Sequence, residues 1–228
     1  ASYTFKYRDY EILRYQLRTK SMGNLPTLTG DADALLTDAY IWNTVSDAGT
    51  YYSGNYEANN AYQGIQSNFG AYINEEFNMN ALAKVIVGLR LERYDQFYTG
   101  VDQQEAAVPG TGINYYLEPV LNNFNVFPTA SFIYSVTENS NLRLGAFRTV
   151  ARPSFKEKSA AQIEDVLTGI TFIGNLDLVN TNISNLDARY EYFLEGGQTI
   201  AVSAFYKHFQ NPIELVAYSA AAPSNFQP

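Results

Sequence analysis

The residues of this chain that can carry charge-based chemistry recur at alternate positions. Lys84, Arg90 and Glu92 share one parity, as do Asp187, Arg189 and Glu191, with Arg143 and Lys207 in comparable segments. Spacing by two places side chains on one face of a strand. Charges gathered there can line a solute path, or they can pair with each other or with a plug, and pairing is the favoured reading. Glu75 and Glu76 are adjacent, so a strand sends them to opposite faces, where they cannot act as an acid and base pair. The chain has no cysteine, and His208 is its single histidine. Thiolate nucleophiles, disulfide frameworks and histidine-rich metal centres are thereby excluded, no catalytic set remains, and neither an enzyme nor a cofactor is expected. His208 falls at an external rim and receives no role. Asp31, Asp33 and Asp38 could offer oxygens to calcium, but the spacing lacks the glycine and terminal glutamate of an EF-hand loop, so a solvated acidic loop is favoured and no metal is expected. Trp42, Tyr51, Tyr52, Tyr115 and Tyr116 lie in long connections and can stack on a ligand; ordinary loop packing is an equal alternative. With Arg90, Arg143 and Arg189 they form the candidate substrate-binding set.

The elements that must hold these residues are strands. Tyr3, Phe5 and Tyr7 alternate with Thr4, Lys6 and Arg8. Ile65 to Asn74 alternates likewise. From Ala83, one face reads Val85, Val87, Leu89 and Leu91, and the other Lys84, Ile86, Gly88, Arg90 and Glu92. The pattern recurs over Thr129–Val136, Leu142–Phe147, Asn185–Leu194 and Ile200–Lys207, which makes about seven strands. Val85, Val87, Leu89, Leu142, Leu144, Ile200 and Val202 are expected on a lipid-facing side. Beyond Phe147 the register blurs because Arg148 falls on the apolar side, as at a bulge or at the edge of a bilayer.

A soluble sheet with one wet face alternates in the same way. The connections separate the two cases. Short turns are expected around Glu76–Asn80, Thr137–Asn141 and Glu195–Gln198, and long loops over Asp9–Ala61, Gly100–Asn125 and Pro153–Asn182. Turns at one end and loops at the other suit an outer-membrane barrel, whereas such loops are uncommon inside a compact soluble domain. The stretches Ala32–Ser46 and Pro153–Leu167 are expected to carry short helices. Phe77, Tyr190, Tyr192 and Phe193 near the turns fit one aromatic belt; Tyr94, Phe97, Tyr98, Phe124, Phe127, Tyr206 and Phe209 fit another at the opposite end. The 19 tyrosines and 14 phenylalanines agree. A formal charge of -8 argues against a nucleic-acid partner. No apolar run approaches the roughly 18 residues of a spanning helix, but a barrel strand needs only about 9–11, every second one apolar. A mean hydropathy of -0.23 is therefore compatible with a membrane protein.

Several segments resemble a known family. NLRLGAFRTVARPSF (Asn141–Phe155), GNLDL (Gly174–Leu178), NISNLDARYEYF (Asn182–Phe193) and VSAFYKHFQNPIE (Val202–Glu214) resemble strands and turns of TonB-dependent outer-membrane receptors, and GLRLERY (Gly88–Tyr94) resembles an upstream strand of the same barrels. Leu176 stands where the family usually has proline. The resemblance covers roughly Tyr62 to Glu214 in order. It implies a bacterial outer-membrane location and a barrel of about 22 strands around a plug. It also implies energised uptake of a bulky solute such as a siderophore, cobalamin or an oligosaccharide.

The expected fold is all-β: a transmembrane antiparallel up-and-down barrel, of which residues 1–228 supply about seven strands as part of one domain. The remaining strands and the plug are expected outside this chain, since lipid cannot satisfy an open sheet edge. Expected partners are outer-membrane lipid, the protein's own plug and the inner-membrane energy-coupling complex; a surface lipoprotein is compatible. Two other readings stand beside the receptor: a passive porin or a structural or secretion-associated barrel, and a soluble β-sandwich adhesin or sugar-binding module.

Overall fold

A computed structural model describes residues 1–21, 37–165 and 167–217. Its strands, in chain order, are β1 (Ser2–Tyr10), β2 (Leu13–Lys20), β3 (Gly49–Tyr56), β4 (Tyr62–Asn78), β5 (Ala83–Val101), β6 (Asn114–Thr137), β7 (Ser140–Ala151), β8 (Gln162–Asp165), β9 (Ile170–Ile173), β10 (Thr181–Phe193) and β11 (Thr199–Gln210). Seven of them form one antiparallel sheet in the order β1-β4-β5-β6-β7-β10-β11. These are the seven segments that alternation marks. β2 with β3, and β8 with β9, form separate two-stranded hairpins within the long connections.

Turn chemistry explains the short ends. The Asn80 side-chain oxygen accepts from the Leu82 and Ala83 N–H groups, both at 2.8 Å, closing β4 onto β5. Thr137 and Ser140 hydroxyls meet at 2.7 Å across the β6–β7 turn. Gly196 (φ 83°) and Gly197 (φ 81°) supply the left-handed conformations that let β10 reverse into β11.

The strands outrun a bilayer. β5 has 19 residues and β6 has 24, against about 9–11 for a spanning strand. Both extend toward the long-connection side. The apolar face of β5 ends at Leu91, and Arg93 and Asp95 on that same face form an ion pair at 3.0 Å. The stretch expected as a loop over Gly100–Asn125 is therefore mostly strand, and only residues 102–113 connect, with a short helix α1 (Gln103–Ala107) capped by the Asp102 carboxylate.

Other expectations need correction. Residues 37–46 form turns and isolated bridges in place of a helix, and residues 32–36 of that stretch lie outside the described residues. The described residues of the stretch Pro153–Leu167 are also not helical: a turn at 155–158 leads into β8. At Arg148 there is no bulge. β7 stays in register with β10 as far as Ala151, while its pairing with β6 stops at Thr129↔Phe147. Pro128, which has no N–H to give, is the next residue of β6. Tyr94 and Tyr98 do not join an aromatic belt. They share the parity of Arg90 and Glu92, and both are buried.

Candidate functional site

The polar face of the sheet is where the chemistry gathers, because period-2 alternation puts nearly every charge of the strands there. Near the short turns the charges pair locally. Lys84 meets Glu76 at 2.6 Å. Arg143 and Arg189 both reach Glu191, at 2.9 and 2.7 Å. The two guanidiniums share this one carboxylate and remain about half exposed, with Asp187 on the same face.

Near the long connections the same face is covered. The segment after β7 turns back across it, and its first residues anchor it. Arg152 donates to Glu92 at 2.6 Å, and Arg90 reaches the other Glu92 oxygen at 2.7 Å. The Arg152 guanidinium also sits 4.5 Å from the centre of the Tyr94 ring, whose hydroxyl donates to Gln96 at 3.0 Å. Glu92 is buried, so these two cations offset a desolvation cost that an unpaired carboxylate could not bear. Three residues on, the Phe155 ring lies directly over Gly64, where a Cβ would stand 2.4 Å from it. Only glycine admits that approach.

Beyond Phe155 the segment makes a small core of its own. Tyr62, Tyr98 and Ala161 are its buried centre. Tyr10, Tyr62, Tyr98 and Tyr115 run side by side with ring centroids 5.2, 5.9 and 5.6 Å apart. The Ala160 N–H donates to the Tyr98 hydroxyl at 3.3 Å. Asn60 accepts from Gln103 at 3.2 Å and from the Gln162 N–H at 2.8 Å, joining three connections at one side chain. Arg14 links the β2–β3 hairpin to the same assembly through Glu57 (2.8 Å) and Glu164 (2.9 Å).

Lys158 holds the segment's own fold. Its ammonium donates to the carbonyls of Leu176 and Leu178, the latter at 2.7 Å, and its side chain is almost wholly buried. Burial pushes its pKa down to about 8, against a smaller upward pull from Asp177. Gly174 closes the turn, packed against the carbonyls of Lys156, Glu157 and Ser159.

A second feature lies on the β2–β3 hairpin. Trp42, Tyr51 and Tyr52 come together with Lys20 and Asp47 around an open hollow of about 430 Å³. Lys20 and Asp47 pair at 2.7 Å across it. Their mutual hydrogen bond raises the lysine pKa and lowers that of the aspartate.

The candidate residues thus divide. Trp42, Tyr51 and Tyr52 converge. Tyr115 is drawn into the tyrosine row, while Tyr116 stands apart and 79% exposed. Arg90, Arg143 and Arg189 reach the expected face but are engaged in ion pairs. Val85, Val87, Leu89, Leu142, Leu144, Ile200 and Val202 lie together on the opposite face by register. Asp38 is exposed, and Asp31 and Asp33 lie outside the described residues. Arg152, Phe155, Lys158 and Tyr62 carry no role in the sequence reading, and Tyr98 appears there only as a belt residue. Arg152 and Phe155 lie in the ARPSF stretch, and strand parity does not foretell their contacts: Arg152 continues the parity of Leu142, Leu144 and Ala146, yet the chain turns it onto the polar face.

Compared with known proteins, the chain matches over residues 1–227 the family described as "TonB dependent receptor-like, beta-barrel". No curated protein and no solved structure matches it.

Proposed function

Given that this chain belongs to the TonB-dependent receptor β-barrel family, an outer-membrane receptor family, we propose that it is a wall section of a barrel for energised uptake of a bulky solute. A siderophore, cobalamin or an oligosaccharide is the class of cargo that suits the wide barrel the family resemblance implies. The apolar face contacts lipid, the polar face looks into the lumen, and the long connections stand outside the cell. The plug and the inner-membrane coupling complex act on it from elsewhere.

The observation that carries this reading is the sorting of ion pairs. Within the sheet, the described ion pairs lie on the polar face, except Arg93–Asp95, which marks where the apolar face ends. A charge on lipid costs about 2–4 kcal/mol near midplane, so a spanning sheet must sort its charges this way. Arg143 and Arg189 then offer cationic handles in the lumen, and the hollow at Trp42, Tyr51 and Tyr52 offers aromatic faces to an arriving solute.

Uptake by whole cells tests the proposal. Cells with and without the full-length protein are given labelled siderophores, cobalamin and oligosaccharides, each before and after collapse of the proton gradient. At least one solute should enter only with both the protein and the gradient. Entry that depends on the protein but ignores the gradient would identify a passive channel. A full-length protein that fractionates without detergent would overturn the membrane assignment itself.

A further inference from the structure

The wall has a notch. Between β6 and β7 the pairing stops at Thr129↔Phe147, while β6 stays paired to β5 and β7 to β10 above that level. Two bonds fix which way the main chain points. The Ser135 N–H donates to the Leu82 carbonyl on the β5 side, and the Phe193 N–H donates to the Asn139 carbonyl from the β10 side. In an antiparallel strand, successive residues turn their N–H and C=O to opposite neighbours. The even residues of β6 and β7 therefore face one another. Below the notch they pair, as at Ala130↔Ala146. Above it, Phe124 and Val126 on β6 and Arg148 and Val150 on β7 point main-chain groups at no partner among the described residues. Pro128 marks the change: it faces β7 and has no N–H to give.

The two edges part around a hollow of about 460 Å³. Phe124, Val126 and Arg148 line it, with Asn125 and Thr149 from the lumen face and Ser184 from the outer face. The notch begins level with Leu89 and Leu91, where the apolar face of β5 ends. Unmet main-chain groups at the edge of a bilayer are costly, because lipid offers them nothing. The side chains add surplus donors. No Asp or Glu lines the hollow, and Arg148 has no hydrogen-bond or ion-pair partner among the described residues. The Asn125 amide nitrogen is buried and likewise unpartnered.

A row of open N–H and C=O groups is a template for another chain. We propose that the notch takes an extended, acidic peptide segment of a partner protein as an added strand. Its main chain bonds to Phe124 and Val126 on one side and to Arg148 and Val150 on the other, and a carboxylate meets the Arg148 guanidinium. The inference rests on the apolar face lying in a membrane.

Amide hydrogen exchange of the full-length protein in detergent tests it. The probes are acetylated, amidated hexapeptides of alternating valine and threonine, with glutamate at each position in turn. Without peptide, the Phe124, Val126, Arg148 and Val150 amides should exchange fast, while those of Asn125 and Thr149, turned toward β5 and β10, stay protected. At least one peptide should slow all of the fast amides, by about tenfold when present at about ten times its dissociation constant. Methylating that peptide's own backbone nitrogens should abolish the effect. Glutamine in place of its glutamate should weaken binding by about tenfold, the scale of one charge-assisted contact, and Arg148→Gln should remove that difference. Val126→Pro takes a main-chain donor from the notch edge without touching the bonds to β5, and should weaken every peptide. The proposal is overturned if the notch amides are already protected without peptide, if no peptide of the set slows them, or if the methylated peptide binds equally well. A protein that stays soluble without detergent would sink the membrane reading, while the same amides still report on the notch.

Discussion

Gly64 and Gly145 both lie on the polar face of the sheet, and an added methyl group would meet very different surroundings. At Gly145, nearer the short turns, nothing stands closer than 3.9 Å. At Gly64, nearer the long connections, the Phe155 ring would be 2.4 Å away. The two positions represent two halves of the molecule. The turn-side half is a bare wall whose contacts run between neighbouring strands. In the loop-side half a second layer, residues 152–180, is pressed onto the wall by Arg152, Phe155 and the row of tyrosines. The first half is specified by solvent on each face, and the second by particular long-range contacts. The two halves should therefore fail separately.

Removing the buried carboxylate is the strongest way to separate them. Glu92→Leu leaves Arg90 and Arg152 without their shared anion, a change that costs about 3–5 kcal/mol when a buried pair is broken. The covering segment should release and become open to protease between residues 152 and 180. The wall should persist, because its strand pairing does not pass through Glu92's side chain, and the folded barrel should still migrate as heat-modifiable. Arg152→Met added to Glu92→Leu should restore part of the protection. Collapse of wall and segment together would show that the halves are one unit.

The turn-side half breaks differently. Val202→Arg places a cation on the lipid face at an expected cost of about 2–4 kcal/mol, and assembly in a heat-modifiability assay should drop. Ser203→Arg points the same group at the lumen, beside Arg189, and should assemble far better. Equal damage from the two would contradict the assignment of faces.

A smaller effect sharpens the opening comparison. Gly64→Ala should cost about 1–3 kcal/mol, since Phe155 must leave its place. Gly145→Ala should be neutral or slightly stabilising, because the unfolded chain loses freedom and nothing is crowded. Proteolysis of the covering segment should rise for the first variant alone.

The two halves also differ in how far they can be read from sequence. All the strands of the main sheet are visible as alternation, since a wall with two solvents around it leaves a period-2 trace. At Arg148 the alternation blurs in sequence, because a cation falls on the apolar side, although β7 keeps its register with β10 there. The upper strands of β5 and β6 are hidden, because above Leu91 both faces meet water or protein and alternation fades. Tyr94 and Tyr98 read as belt residues for the same reason: a tyrosine near a strand end suits an interface as well as a buried row. The short hairpins β2–β3 and β8–β9 carry no lipid-driven pattern. Lys158 leaves no trace at all, since its partners are two backbone carbonyls that any residue could supply. The convergence of Trp42, Tyr51 and Tyr52 depends on the β2–β3 pairing and could be guessed only as a list of loop aromatics.

Lys158 provides the smallest test of the comparison, and its direction follows from burial. In the folded segment its pKa falls to about 8, whereas in the unfolded chain it returns to the ordinary lysine value of 10.5. Between those limits the unfolded segment binds more protons than the folded one, so stability rises with pH. The slope cannot exceed about 1.4 kcal/mol per pH unit for a single group. From pH 8 to pH 9, hydrogen exchange at residues 152–180, corrected for its intrinsic pH dependence, should slow by up to about tenfold. The turn-side strands should not follow, since no lysine is buried this way among their described residues. Lys158→Arg should abolish the pH response, because a guanidinium stays charged throughout this range. Protection that falls as the pH rises would mean that the charged ammonium, and not its burial, governs how the second layer is held.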